Sequence, residues 1–220
     1  CCAIILKQAA DTTTGKANPG PLHIPVRLSL LGPTGEAFPL RLDGEAMTEA
    51  NAARIVELRD ASSRIEFVDI DHDPVVSALQ DFSAPVTLSA GLTDRDRAFL
   101  MAHDPDPFNR WEAGQQYATD YLLKSITASQ EGEPRPSSAE FVFALGGMLS
   151  DASLGNSFKA EAMLLPSEEY LGNQMKKVDV AAIHQACKSL RQDIAQSLSD
   201  NLLRLYHETV SYTHLRAHET

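Results

Sequence analysis

The sequence predicts a β-sandwich domain over residues 1–91 followed by an all-α helical-array, superhelical domain over 92–210. Three observations carry this reading. Up to Gly91 the apolar residues fall in strand-length runs divided by Pro and Gly. From Leu92 onward they recur at three- and four-residue intervals, and side chains suited to capping helices stand ahead of each run.

In the first part the candidate strands are Ala3 to Lys7, Ile24 to Leu31, Ala37 to Leu42, Arg54 to Asp60, Arg64 to Ile70, Val75 to Leu79 and Val86 to Ala90. Asn18-Pro19-Gly20-Pro21, Gly32-Pro33-Thr34-Gly35, Asp43-Gly44 and Asp73-Pro74 supply the turns between them. Short strands at this close spacing make an antiparallel sandwich. Within Ile65-Glu66-Phe67-Val68-Asp69-Ile70 the alternation slips near its end, as it does at a bulge or where a strand changes faces.

In the second part Thr93 is a cap with Asp96 three residues on, and Asp106-Pro107 offers a capping carboxylate and a first-turn proline. Ser137-Ser138-Ala139-Glu140 reads as a capping box before Phe141-Val142-Phe143. Trp111, Ala118, Leu122 and Ile126 share one helical face, with Tyr121 beside it. After a cap at Asp179, Ile183, Cys187, Leu190, Ile194, Leu198, Leu202 and Leu205 form one long stripe to be buried. No fixed period repeats, so the helices are expected to stack irregularly.

Composition excludes several classes. With 19 Lys+Arg against 30 Asp+Glu the formal charge is −11, and Lys176-Lys177 is the longest basic run, which is no surface for nucleic acid. No apolar run approaches the roughly 18 residues of a membrane-spanning helix. Three cysteines, two of them adjacent, give neither a disulfide framework nor a Cys-x-x-Cys metal site, and Cys187 reads as helix core. Cys1-Cys2 opens the chain without Met or a basic stretch, so the chain is expected to be truncated at its front and to carry no signal peptide.

The constellations that could carry chemistry each fail on residues. Asp69-Ile70-Asp71-His72-Asp73 gathers three carboxylates and an imidazole, but a calcium loop needs Gly at its sixth position and Glu at its twelfth, where Pro74 and Gln80 stand. On a strand, Asp69, Asp71 and Asp73 would share a solvated face with His72 opposite. His207-Glu208 begins a helical zinc motif and then offers Ser211 where the second His belongs, while His218-Glu219 is cut short at Thr220. His23, His72, His103, His184 and His214 have no ligand partners at short spacing. There is no G-x-S-x-G elbow for a nucleophile, and Gly146-Gly147 lies inside a helical pattern, where close packing explains it better than a phosphate cradle does.

Pro21-Leu22-His23-Ile24-Pro25-Val26, Gly35-Glu36-Ala37-Phe38-Pro39-Leu40 and Asp81-Phe82-Ser83-Ala84-Pro85-Val86-Thr87-Leu88 closely resemble the bacterial alanyl aminopeptidase N family. The likeness continues through Asp94 to Met101 and through Phe108-Asn109-Arg110-Trp111-Glu112-Ala113 to Gln115, and runs from about Ile4 to about Val210. The resemblance implies a zinc-dependent exopeptidase of four domains, of which this chain matches the third, a small β-sandwich, and the first part of the fourth, a helical superhelix. The H-E-x-x-H motif with its downstream Glu, and the G-A-M-E-N motif that holds the substrate amine, belong to the second domain and have no counterpart here. No catalytic, cofactor-binding or metal residue is therefore assigned to any position of this chain.

By the same resemblance the parent enzyme would hold zinc and remove N-terminal residues from peptides in the cytoplasm. The present segment would bind no zinc and act as spacer and cap over a catalytic domain that is its intramolecular partner, with neither nucleic acid nor membrane involved. Faces turned toward that domain are expected to show an apolar patch. The alternatives are a stand-alone peptide- or protein-binding module without activity, and a calcium-dependent surface domain using Asp69, Asp71 and Asp73. Residues 211–220 depart from the family, resemble translated sequencing-adapter read-through, and are expected to carry no structural meaning.

Overall fold

The computed structural model describes residues 1–9, 20–46 and 50–214, with side chains through residue 210. The chain divides into two compact units, one of Cys1–Leu92 with His103–Arg110, the other of Thr93–Ala102 with Trp111–Thr220.

The first unit holds five strands among the described residues: β1 (Cys2–Lys7), β2 (Ile24–Leu31), β3 (Arg54–Leu58), β4 (Ser62–Phe67) and β5 (Val75–Ala78). All pairings are antiparallel: β1 with β4, from Cys2 opposite Phe67 to Lys7 opposite Ser62, and a three-stranded sheet in the order β3, β2, β5. Alternation explains the core. Cys2, Ile4 and Leu6 of β1 point inward with Phe67 of β4, and meet Val26, Leu28 and Leu30 of β2 and Val56 of β3. Leu40 and Ile70 from the connections complete this cluster between the two sheets.

The sandwich is thus present with fewer strands than expected. Ala37 to Leu42 makes only isolated bridges, Leu31 with Ala37, Leu40 with Asn51 and Leu42 with Phe67, because Pro39 in its middle has no N–H for a ladder. Val86 to Ala90 is exposed coil, its first amide turned back onto the Ala84 carbonyl at 2.9 Å. The slip expected after Phe67 is the end of β4: the Val68 amide donates to the Arg41 carbonyl, and Asp69 turns left-handed with φ 59°.

The second unit is helical: α1 (Asp94–His103), α2 (Pro107–Glu131), α3 (Ala139–Ser150), α4 (Asn156–Ala162), α5 (Glu168–Asn173), α6 (Val180–Ser197) and α7 (Ser199–His214), the ends of α1 and α2 nearest their junction belonging to the first unit. Three of the expected caps form. Thr93 and Asp96 bond reciprocally, Asp106 Oδ1 accepts from the Phe108 and Asn109 amides, and Asp179 Oδ1 accepts from the Ala182 amide. The box from Ser137 to Glu140 closes only in part: Ser137 Oγ accepts from the Ala139 amide at 3.3 Å, while Glu140 turns away to accept from the Tyr117 hydroxyl at 3.4 Å. The neighbouring Ser138 hydroxyl donates to Asp193 Oδ2 at 2.5 Å, beside the Arg135–Asp193 ion pair.

Helix α6 packs against α3, α5 and α7, and Ile183, Cys187 and Leu190 are wholly enclosed there. The stripe read from Ile183 to Leu205 is shared by two helices. It breaks at Leu198 (φ −112°, ψ 19°), leaving Ile194 and Leu202 on either side half-buried. The break lets Leu198 press on α3, where a Cβ added at Gly146 would lie 2.8 Å from Leu198 Cδ2. Gly146 is therefore a close-packing residue. Met101 of α1 similarly lies against Gly114 of α2, with Sδ 3.5 Å from where a Cβ would stand.

Candidate functional site

The structure disperses most of the sequence candidates. Because β4 ends at Phe67, Asp69, Asp71 and Asp73 never line one strand face; Asp69 is taken up by Arg41, and His72 Nδ1 stands 3.8 Å from Asp71. His23 pairs with Glu57 at 3.6 Å and His184 with Glu168 at 3.1 Å, each a single exposed contact. The His207 ring leans on Tyr206, and Glu208 pairs with Arg204. The His214 side chain and all of His218 lie outside the described residues. Among the described residues no three His, Cys, Asp or Glu side chains gather closely enough to hold a metal ion, so zinc finds no fitting ligand set here.

What the fold does assemble is a buried polar cluster in the first unit, on the side of β2 opposite the core. Leu28 and Leu30 face inward, so Ser29 between them faces away, directly across from Ser77 of β5. Both hydroxyls are 1% exposed. Gln80 joins them, accepting from Ser29 Oγ at 3.2 Å and donating to Ser77 Oγ at 2.8 Å. Asn109 donates to the same Ser77 oxygen at 3.1 Å and to the Ala78 carbonyl at 3.0 Å. The turn that carries Gln80 is strained, with Leu79, Asp81 and Phe82 all at positive φ, between 52° and 60°. Asp106 Oδ2 holds it by accepting from the Asp81 amide at 2.7 Å, and Arg27 pairs with the Asp81 carboxylate at 2.9 Å.

Asp104 lies under this cluster, 1% exposed. Its Oδ1 accepts from the Asp106 amide at 2.9 Å, while Oδ2 is enclosed without a hydrogen-bond partner. Burial pushes its pKa up from 3.8 to about 6, against the smaller opposing pulls of Ser77, the Asp106 amide and Arg110. Over the cluster, the Phe82 and Phe108 rings meet at 4.5 Å, Phe82 70% exposed and Phe108 41%. Sequence reading assigned none of these residues a role beyond the Asp106 cap. The available signal was that Asp81-Phe82-Ser83 and Phe108-Asn109-Arg110 both lie in the stretches that carry the family likeness, and the fold brings these two stretches together.

In the second unit, an open groove runs between Leu123, Thr127 and Gln130 of α2 and residues 174–179 ahead of α6, with Val180 at its start. Lys176-Lys177 lies along it, and Gln130 reaches Asp179 at 3.5 Å.

Comparison with known proteins agrees with this architecture. Residues 1–91 match a family described as a domain of unknown function, DUF3458, with an Ig-like fold, and residues 94–220 match DUF3458_C, described as ARM repeats. The chain belongs to the DUF3458_C family. Among curated relatives, this DUF3458_C chain is 27% identical to aminopeptidase N of Escherichia coli over 98% of its own length and 24% of the relative's. It is 39% identical to aminopeptidase N of Caulobacter vibrioides over 77% of its length and 19% of that protein. Among solved structures it is similar to Legionella pneumophila aminopeptidase A in complex with aspartic acid, at 25% identity and a TM-score of 0.66, covering 83% of this chain and 20% of that one. The chain thus spans about a quarter or less of the relatives it matches, and the likeness to bacterial aminopeptidase N read from its motifs holds.

Proposed function

We propose that this chain is a non-catalytic segment of a cytoplasmic, zinc-dependent aminopeptidase that removes N-terminal residues from peptides. In this reading the Ig-like unit is a spacer and the helical unit part of a cap, both serving a catalytic domain carried elsewhere in the protein. The observation that carries it is the alignment: nearly the whole chain is matched by a quarter of an aminopeptidase N. Two features support it. The described residues assemble no metal-ligand set, and bulky apolar side chains stand exposed, the Phe82–Phe108 pair in the first unit and Phe143, 83% exposed, in the second.

The test compares two proteins: the purified chain, and the same chain expressed with its upstream reading frame, each assayed on an alanine arylamide with zinc and with chelator. The longer protein is expected to turn substrate over in a chelator-sensitive way, and the chain alone is not. Chelator-sensitive turnover by the chain alone, surviving repurification, overturns the non-catalytic role. An inactive longer protein containing no H-E-x-x-H motif overturns the parent assignment.

A further inference from the structure

The chain leaves the first unit at Leu92 and returns to it for His103–Arg110. This returning segment is fastened by a few specific contacts. Asn109 is tied to Ser77 and Ala78, Asp106 holds the strained turn at Asp81, and Phe108 lies on Phe82. His103 passes so close to Gly35 (φ 92°) that a Cβ there would come within 2.8 Å of the imidazole. Beneath these contacts lies Asp104, with one oxygen enclosed and without a donor.

We propose that Asp104 makes this segment a proton-dependent latch, closed on the sheet unit while its carboxyl carries a proton and loosened when the proton leaves to solvent. An ionised carboxylate cannot leave an oxygen enclosed without a donor except at a substantial cost, whereas the neutral acid carries a donor of its own. The surrounding charges do not offset that cost. In the segment, Asp106 repels the anion and Arg110 attracts it, each more weakly than burial acts. Ser77 on β5 is uncharged but its hydroxyl bond to the carboxyl favours the anion, the largest of the opposing pulls and still weaker than burial, and the Asp81 carboxylate of the neighbouring turn is already paired with Arg27. Release would also relax the left-handed Leu79, Asp81 and Phe82.

The sign follows from linkage. The folded pKa is raised, so the closed latch binds the extra proton; closure is favoured at low pH and weakens as pH rises through about 6. His103 acts the other way: burial and Arg110 lower its pKa, so its contribution to closure is lost as pH falls. Comparison with Asp104→Asn removes the carboxyl and leaves the imidazole in both proteins. Amide hydrogen exchange at Asp81, Phe108 and Asn109 measures opening in the full chain.

From the shift of 3.8 to about 6, the ratio of wild-type to Asp104→Asn opening constants should grow about tenfold between pH 5 and pH 7.5. A ratio that stays constant over that range overturns the latch. A second measurement on the wild-type chain, the NMR titration of the Asp104 carboxyl carbon, should show a midpoint near 6 that moves together with the Phe108 and Asn109 amide shifts. A midpoint at the ordinary 3.8, or one that leaves those amides unmoved, overturns it equally.

Discussion

Replacing Gln80 by Leu tests whether the cross-strand hydroxyl pair is held by this one side chain. Gln80 is buried, and its amide oxygen accepts from the Ser29 hydroxyl, whereas Ser77 keeps Asn109 as a donor. Leu fills a similar volume, so the packing loss is small and the cost comes from stranded polar groups. Leaving a buried hydroxyl without its partner costs about 1–3 kcal/mol, and losing the second bond about 1 kcal/mol more, for a total of roughly 2–4 kcal/mol. Adding Ser29→Ala to the Gln80→Leu protein should then return about 1–2 kcal/mol, because both ends of the broken bond are gone. Urea unfolding read by hydrogen exchange at the β2 amides gives all three free energies. A Gln80→Leu cost under about 0.5 kcal/mol, or a Ser29→Ala effect that simply adds to it, would refute the reasoning.

Other perturbations probe other parts. Phe67→Ala empties the centre of the sandwich and should cost about 3–5 kcal/mol in the same unfolding measurement. Glu45 is held at a pKa of about 2, chiefly by paired hydrogen bonds from Arg54, so its contribution is full above the ordinary 4.5 and is lost as pH falls toward 2. Arg54→Met should bring the Glu45 midpoint, followed by NMR, back toward 4.5. Thr93→Ala removes the reciprocal cap of α1 and should lower helix stability by about 1 kcal/mol, visible as faster exchange at the Asp96 and Arg97 amides.

The architecture was legible because it depends on local signals. Strand β2 was bounded correctly at Ile24 and Leu31, and Thr93, Asp106 and Asp179 announced three helix starts. Errors arose where a distant group decided the outcome. The capping box is left half-made because Glu140 turns to the Tyr117 hydroxyl, 23 residues away in sequence, rather than back toward Ser137. The long α6 stripe hides a break because Leu198 keeps its place in the apolar period while its backbone leaves the helix. Ala37 to Leu42 has the composition of a strand but, with Pro39, cannot sustain a ladder. The buried cluster was invisible for a related reason. Ser29, Ser77, Gln80 and Asp104 are ordinary polar residues in three separate stretches, and only the register of β2 against β5 and the return of His103–Arg110 bring them together.

The enclosure of Cys187 at the centre of α6 has a practical side. Cys1 is exposed, Cys2 is half-buried, and burial raises the Cys187 thiol above its usual pKa, which suppresses its reactive thiolate. An alkylating reagent therefore meets one ready thiol at Cys1, a slower one at Cys2, whose pKa burial and Asp73 also raise, and one withheld. The delay before the third adduct appears acts as a stopwatch on the helical stack, timing how often the surroundings of Cys187 come apart without any probe having to be introduced.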